Sequence, residues 1–415
     1  MEKKVNIFLR IIKWLYPGMR VKRWIALLAF SVILITFGSA HFLVETSFFN
    51  RALYILAILT GIFLGILGLR NILGSFINVF LPHGEREIVD MIYRKRYLEK
   101  GPRIVAIGGG TGLSVLLHGL KEYTSNISAV VTVADDGGSS GRIRQEFDIL
   151  PPGDIRNCLV ALADAPSLMQ ELFQFRFDSN SALAGHSFGN LFITVMTKLT
   201  GDFEKAVKES SKVLAIRGQV IPSTLNKVSL VALYKDGSTI EGEAAIPKRK
   251  CPIAHVYLKP AEATATPEAL KAISQAQAIV LGPGSLYTSV IPNLLIKEIR
   301  DAIAASPALK IYICNVMTQP GETQGYSAYN HIKAITDHSS QKIIDYCIVN
   351  STLIPEDLLE KYKQDNSFPV SVDLQEIRHA GYRVIETDII NAKDYVRHDS
   401  GKLARNIVDL IQENY

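Results

Sequence analysis

At 415 residues, 48% hydrophobic and 20% charged, the chain can form one large α/β domain with an appendage, or two or three domains. Its net charge of +5 gathers at the start, where Lys3, Lys4, Arg10, Lys13, Arg20, Lys22 and Arg23 face only Glu2; no broad basic surface remains, which excludes nucleic acid as a partner. The four cysteines, Cys158, Cys251, Cys314 and Cys347, have neither CxxC nor histidine spacing, so they read as reduced core thiols rather than a disulfide framework or zinc site.

The first elements are two apolar runs. Trp24 to Val44 carries no charge until Glu45, and Ala52 to Leu69 follows after a short polar stretch and ends at Arg70. Each is about the twenty residues that a helix needs to cross a hydrocarbon core. Both are apolar all round, unlike the one-sided helices of a soluble core, and a second span directly after the first argues against a signal peptide. Trp14, Tyr16, Trp24, Phe48, Phe49 and Tyr54 fall where interfacial aromatics are expected. Basic residues precede the first run, and Arg70, Arg86, Arg94, Lys95 and Arg96 follow the second, while the connecting loop has only Arg51. Residues 1–81 are therefore expected to be an anchor in the plasma (inner) membrane, with helices at about 24–44 and 52–70 and both termini cytoplasmic. On that side the sequons at Asn126 and Asn350 have no role. Residues 82–101 read as a juxtamembrane helix and linker, closed by Gly101-Pro102.

From residue 102 to 415 the texture is α/β. Ile104–Ile107 is a short β-rich run, Leu113–Tyr123 a helix and Ser128–Ala134 a second buried strand, a βαβ start that implies a mostly parallel sheet with helices on both faces. Further strands are expected at Ala278–Leu281, Lys310–Cys314 and Tyr346–Val349. Val228–Tyr234 and Ser238–Ile246 flank Lys235-Asp236-Gly237, the signature of an antiparallel hairpin inserted at the sheet edge.

Ligands of open α/β sheets bind outside the carboxyl ends of the strands, and here glycine clusters fall at those ends. Gly108-Gly109-Gly110-Thr111-Gly112 follows the first strand and opens a helix, so its N–H groups can approach a phosphate. It misses the dinucleotide fingerprint, since Val115 takes the third glycine position, and it lacks the Lys-Ser/Thr of a P-loop. After the second strand come Asp135, Asp136, Gly137, Gly138, Ser139, Ser140, Gly141 and Arg142. Those acids could take a ribose hydroxyl, hold Mg²⁺ (at Asp136) or orient a sugar, while the Gly-Ser run makes an anion nest and Arg142 a phosphate partner. In Pro152-Gly153-Asp154-Ile155-Arg156-Asn157, Asp154 could cap a helix that begins at Ile155, which puts Arg156 and Asn157 in the first turn. Gly185-His186-Ser187-Phe188-Gly189-Asn190 leads into a helix at Leu191–Lys198; His186 reads as an acid/base or phosphate donor, or as a buried capping histidine. Gly282-Pro283-Gly284-Ser285 through Thr288 repeats the strand–loop–helix pattern; Asn315 and Gln319–Thr323 extend the rim, and Tyr395–Asp399 could return to it. A terminal helix is expected at Leu403–Glu413.

These loops resemble those of the gluconeogenesis factor (YvcK-type) family, relatives of 2-phospho-L-lactate transferase (CofD-type). The match rests on Ile-Gly-Gly-Gly-Thr-Gly-Leu-Ser from Ile107, Ala-Asp-Asp-Gly-Gly-Ser-Ser-Gly-Arg from Ala134 and Pro-Pro-Gly-Asp-Ile-Arg-Asn from Pro151. It continues in Gly-His-Ser-Phe-Gly-Asn from Gly185, Gly-Pro-Gly-Ser-Leu-Tyr-Thr-Ser from Gly282 and Asn-Val-Met-Thr-Gln-Pro-Gly-Glu-Thr from Asn315. The resemblance covers about residues 103 to 415 and leaves the hairpin outside. It implies a Rossmann-like three-layer αβα fold and a UDP-sugar ligand, UDP-GlcNAc or UDP-glucose. The implied role is regulatory, in cell shape and cell-wall precursor balance on gluconeogenic carbon sources. The alternative is a Mg²⁺-dependent transferase on a nucleotide-linked phospho-hydroxyacid, with Asp135, Asp136 and His186 as catalytic candidates. Apart from Mg²⁺ no cofactor is expected, and a homodimer is left open.

Overall fold

The computed structural model describes residues 22–80, 96–178, 181–392 and 395–415, with side chains of 76–80 left aside. The chain divides into two units, Met1–Lys95 and Arg96–Tyr415. Most of the expected juxtamembrane helix lies outside the described residues, as do Trp14, Tyr16 and the basic residues before Lys22.

In the first unit, helices Lys22–Val44 and Phe48–Phe80 pack as a hairpin. Both contain apolar stretches long enough to cross a membrane, Lys22–Val44 and Phe48–Ser75. The second helix runs on past the expected end at about residue 70, because Arg70-Asn71 is a short polar pair within an apolar stretch. Small residues bring the two backbones together: a Cβ on Gly61 would stand 3.0 Å from the Ser31 carbonyl, and one on Gly38 3.0 Å from that of Tyr54. The outward faces carry exposed Phe30, Ile33, Phe63 and Ile66.

The second unit is built on a seven-stranded sheet of order β10-β9-β8-β7-β1-β2-β3, and every pairing in it is parallel. Its strands are β1 (Ile104–Gly108), β2 (Ile127–Val131), β3 (Gln219–Pro222), β7 (Ala278–Leu281), β8 (Leu309–Ile313), β9 (Tyr346–Asn350) and β10 (Arg383–Thr387). Central β1 and β7 are buried along their whole length, as a sheet covered on both faces requires. The five strands expected from sequence are all present. The two edge strands are not legible as strands: β3 is four residues ending in Pro222, and β10 is a half-exposed Arg-Val-Ile-Glu-Thr. An antiparallel sheet of order β5-β4-β6 stands between β3 and β7 in the chain: β4 (Ser229–Tyr234), β5 (Thr239–Glu241) and β6 (Ile253–Lys259). It confirms the expected hairpin, ends its second strand at Glu241 and adds a third strand. β11 (Ile390–Ala392) and β12 (Val396–His398) form a small antiparallel pair.

The order of these strands positions the site. From β1 the chain builds outward through β2 and β3, then returns to β1's other side and builds outward through β7 to β10. β1 and β7 are therefore the switch point, where the chain leaves two adjacent strands toward opposite edges of the sheet and ligands of such sheets bind. The helix after β1 spans Gly110–Leu120 and starts three residues before Leu113, inside the glycine cluster. Leu113, Leu116, Leu117 and Leu120 form its buried stripe, and Thr111, Ser114, Val115 and His118 repeat the same spacing on another face. The last helix, Ser400–Asn414, crosses it closely enough that a Cβ on Gly119 would meet the Ser400 carbonyl at 1.9 Å.

Candidate functional site

The loops after β1 and β7 interlock. A Cβ on Gly112 would lie 2.7 Å from the Pro283 carbonyl and 2.9 Å from Gly284 Cα, so only glycine permits this approach. Gly110, at φ +65°, turns the chain from strand into helix. Buried Asn293 ties the two loops, donating from Nδ2 to the carbonyls of Gly108 (3.2 Å) and Ser289 (2.9 Å). Asn315 Nδ2 donates to the Gly284 carbonyl (2.9 Å), and Gln319 Nε2 to Ser285 Oγ (2.8 Å).

A cleft of ≈600 Å³ opens between these loops, lined by Gly109–Gly112, Pro283–Ser285, Ser289, Asn315–Pro320, Glu243, Arg397 and His398. That volume falls within the roughly 300–1,000 Å³ of ordinary ligand pockets. The N–H groups of the first helical turn have no partners within their own helix, so the cleft starts at a helix N-terminus that favours an anion. The Tyr395–Asp399 segment does return to this rim. His398 is mostly buried and its Nε2 lies 3.3 Å from the Cys314 carbonyl; burial lowers its pKa to about 4, so the ring is neutral near pH 7.

Carboxyl groups crowd the same end. Asp154 stands behind Gly109, where a Cβ would meet its Oδ2 at 2.6 Å. Burial first, then Asp135, raises its pKa to about 7, with the Gly110 N–H and Arg156 acting the other way. Glu243, half-buried on the cleft wall, is raised to about 8 by burial and then by Asp135, Asp154, Glu322 and Asp136. Glu322, 6% exposed, accepts from Thr288 Oγ1 at 3.3 Å while its Oε2 has no partner; burial raises it to about 7. Sequence reasoning missed Glu243 because nothing in Gly242-Glu243-Ala244 marks a site; only the folding of the antiparallel sheet against the loops brings it there.

Other expected residues hold the scaffold. Asp154 is no cap: its helix, Gly153–Leu162, begins earlier, and the carboxylate faces the β1 loop instead. Asp135 Oδ1 accepts from the Gly137 N–H (2.9 Å), and Asp136 Oδ1 from the Ala244 N–H (2.9 Å). Gly138 begins the helix Gly138–Phe147, in which Ser139 and Ser140 are buried. Ser139 Oγ is 3.0 Å from His186 Nδ1 and accepts from Asn190 Nδ2 (3.1 Å). His186 is buried, and burial followed by Arg142 lowers its pKa, which keeps it a neutral structural partner. Its neighbour Ser187, not His186, caps the helix Phe188–Thr200, and Ser187 Oγ also accepts from Arg156 Nη1 (2.5 Å). Arg142 reaches the Ala184 carbonyl (2.8 Å) rather than the cleft. Gly282, at φ +77°, turns the β7 loop. Among the described residues no group of three or more His, Cys, Asp or Glu side chains is arranged to hold a metal ion, and Asp136 faces the Gly242–Ala244 loop.

The family model "2-phospho-L-lactate transferase CofD" matches residues 104–390. The chain belongs to the CofD family. The gluconeogenesis factor of Bacillus subtilis is 49% identical over 313 residues, covering 75% of this chain and 99% of its own. A relative from Nostoc sp. is 48% identical over 414 residues, or 95% of this chain and 91% of its own, so its match takes in the N-terminal hairpin. The crystal structure of a UPF0052-family protein from Bacillus halodurans superposes with a TM-score of 0.72 at 47% identity, covering 74% of this chain and 99% of that one.

Proposed function

We propose that this CofD-family chain is a membrane-anchored regulatory protein that binds a UDP-sugar, UDP-GlcNAc or UDP-glucose, and through it serves cell-wall precursor balance and cell shape. The observation that carries the reading is the meeting of the β1 and β7 loops at the switch point. The diphosphate would lie on Gly110–Gly112 and Gly284–Ser285, with Arg397, the guanidinium that lines this cleft, beside it. Glu243 on the cleft wall, with Asp154 behind Gly109, suits the sugar end. Carboxyl groups that hold a proton near pH 7–8 are less repelled by a diphosphate and can bond hydroxyls as donor or acceptor. The relatives named gluconeogenesis factor support a role linked to gluconeogenic growth. The two apolar helices, with their outward apolar faces, support the anchor.

Titration calorimetry of the full chain in detergent tests it: UDP-GlcNAc or UDP-glucose binds, and Gly110→Val removes binding, since valine resists a φ of +65°. If neither sugar nucleotide binds the wild-type chain, the reading is wrong.

The raised carboxyls, with the transferase name of the family model, favour one other reading: transfer chemistry on a nucleotide-linked phospho-hydroxyacid, with Glu243 as proton carrier. Mg²⁺ is the cofactor that reading invokes, yet the side chains around Asp136 do not form a coordinating set, so no step is drawn through it. A ligand recovered unchanged after long incubation with Mg²⁺ counts against turnover.

A further inference from the structure

Beside the glycine cleft lies a second, larger one of ≈960 Å³, which shares Thr111, Val115, Arg397 and His398 with it. Each alone has the size of a pocket for one small ligand, roughly 300–1,000 Å³. The walls of this annex differ in charge. Arg156, Arg176 and Arg397 converge on it, and among the described residues none of them has a carboxylate at salt-bridge distance. The acid on its lining, Asp399, is turned away to cap the last helix, accepting from the Lys402 N–H at 2.9 Å.

Arg156 is the built element. It is only 7% exposed, Ser187 and Asn157 hold its Nη atoms, and its Nε is buried with no hydrogen-bond partner. Buried polar groups are rarely left unpaired, and a lone guanidinium is costly to desolvate. Arg176 is set next to it because residue 176 bridges Ser187, the residue that holds Arg156. Burial and then the like charge of Arg176 lower the pKa of Arg156 to about 10, with Asp154 and Asp135 acting the other way. Two neighbouring cations with no carboxylate at salt-bridge distance among the described residues are an arrangement completed by a bound anion. Arg397 stacks over the Tyr395 ring at 5.5 Å, which steadies a third guanidinium on the shared wall.

We infer that the annex is a subsite for a second, separately bound small molecule bearing phosphate or carboxylate groups, held alongside the nucleotide-linked ligand. The inference rests on the proposed function only for what fills the neighbouring cleft.

The test is calorimetric titration of the full chain in detergent with 3-phosphoglycerate as the anionic probe, at low salt and with UDP-GlcNAc saturating. One saturable site for the probe is expected. Arg176→Gln should weaken it by ~10-fold or more and leave UDP-GlcNAc unchanged, because Arg176 lines only the annex. Gly110→Val should do the reverse; if that variant does not fold, Ser285→Trp, which crowds the glycine cleft, replaces it. Displacement of the probe by UDP-GlcNAc, or equal weakening of both ligands by Arg176→Gln, would show one continuous site and overturn the inference. Probe binding that ignores Arg176→Gln, or none up to ~10 mM, also overturns it. If UDP-GlcNAc fails to bind while the probe still depends on Arg176, the proposed function falls and the annex stands.

Discussion

Glu322, Asp154 and Glu243 are the residues at which this site stores electrostatic free energy. Glu322 titrates near 7 in the fold, above the ordinary glutamate range near 4.5. Its protonated form is favoured by folding, so its stabilisation is complete below about pH 4 and fades as the pH rises through 7. Glu322→Gln should therefore leave the melting temperature unchanged at pH 4 and raise stability at pH 8 by on the order of 1–3 kcal/mol. Equal melts for the two proteins at both pH values would show the carboxyl is better solvated than its surroundings indicate. The same sign applies to ligand binding. Asp154 and Glu243 gain negative charge between about pH 7 and 8 beside the cleft, so affinity for a UDP-sugar should fall about tenfold from pH 6 to pH 9. Calorimetry across that range, with Glu243→Gln flattening the profile, checks it.

Among the elements, the helix Gly110–Leu120 and the π turn Leu286–Val290 are held together by glycine contacts and Asn293. Gly112→Ala puts a methyl against the Pro283 carbonyl, and the loops have to separate by several tenths of an ångström. We expect a stability loss of about 1–3 kcal/mol in urea denaturation, with loss of UDP-sugar binding; retained affinity would mean that the loops do not hold the ligand. Ser187 performs two tasks, capping Phe188–Thr200 and holding Arg156. Ser187→Ala should cost about 1–2 kcal/mol, measurable in the same denaturation series.

For the whole molecule, the Bacillus subtilis relative corresponds to only 75% of this chain, whereas the Nostoc relative extends over 95%. A fragment starting at Arg96 should thus be soluble and keep its ligand affinity, while the full chain sediments with membranes; affinity lost on truncation would overturn that expectation. The sequence by itself determined the two apolar hairpin helices, five strands of the parallel sheet and the glycine loops at their ends, because each is written in contiguous residues: an apolar run, a β-rich run, a turn that only glycine permits. The edge strands β3 and β10 were illegible, since their pairing comes from a neighbour rather than from their own pattern. Only the tertiary structure decided which loops touch. It placed Glu243 and Arg397 on the cleft, turned Arg142 and His186 into scaffold, and set Arg156 beside Arg176 with no salt-bridge partner among the described residues. Charge and burial depend on neighbours distant in sequence, and those neighbours exist only once the sheet has chosen its strand order.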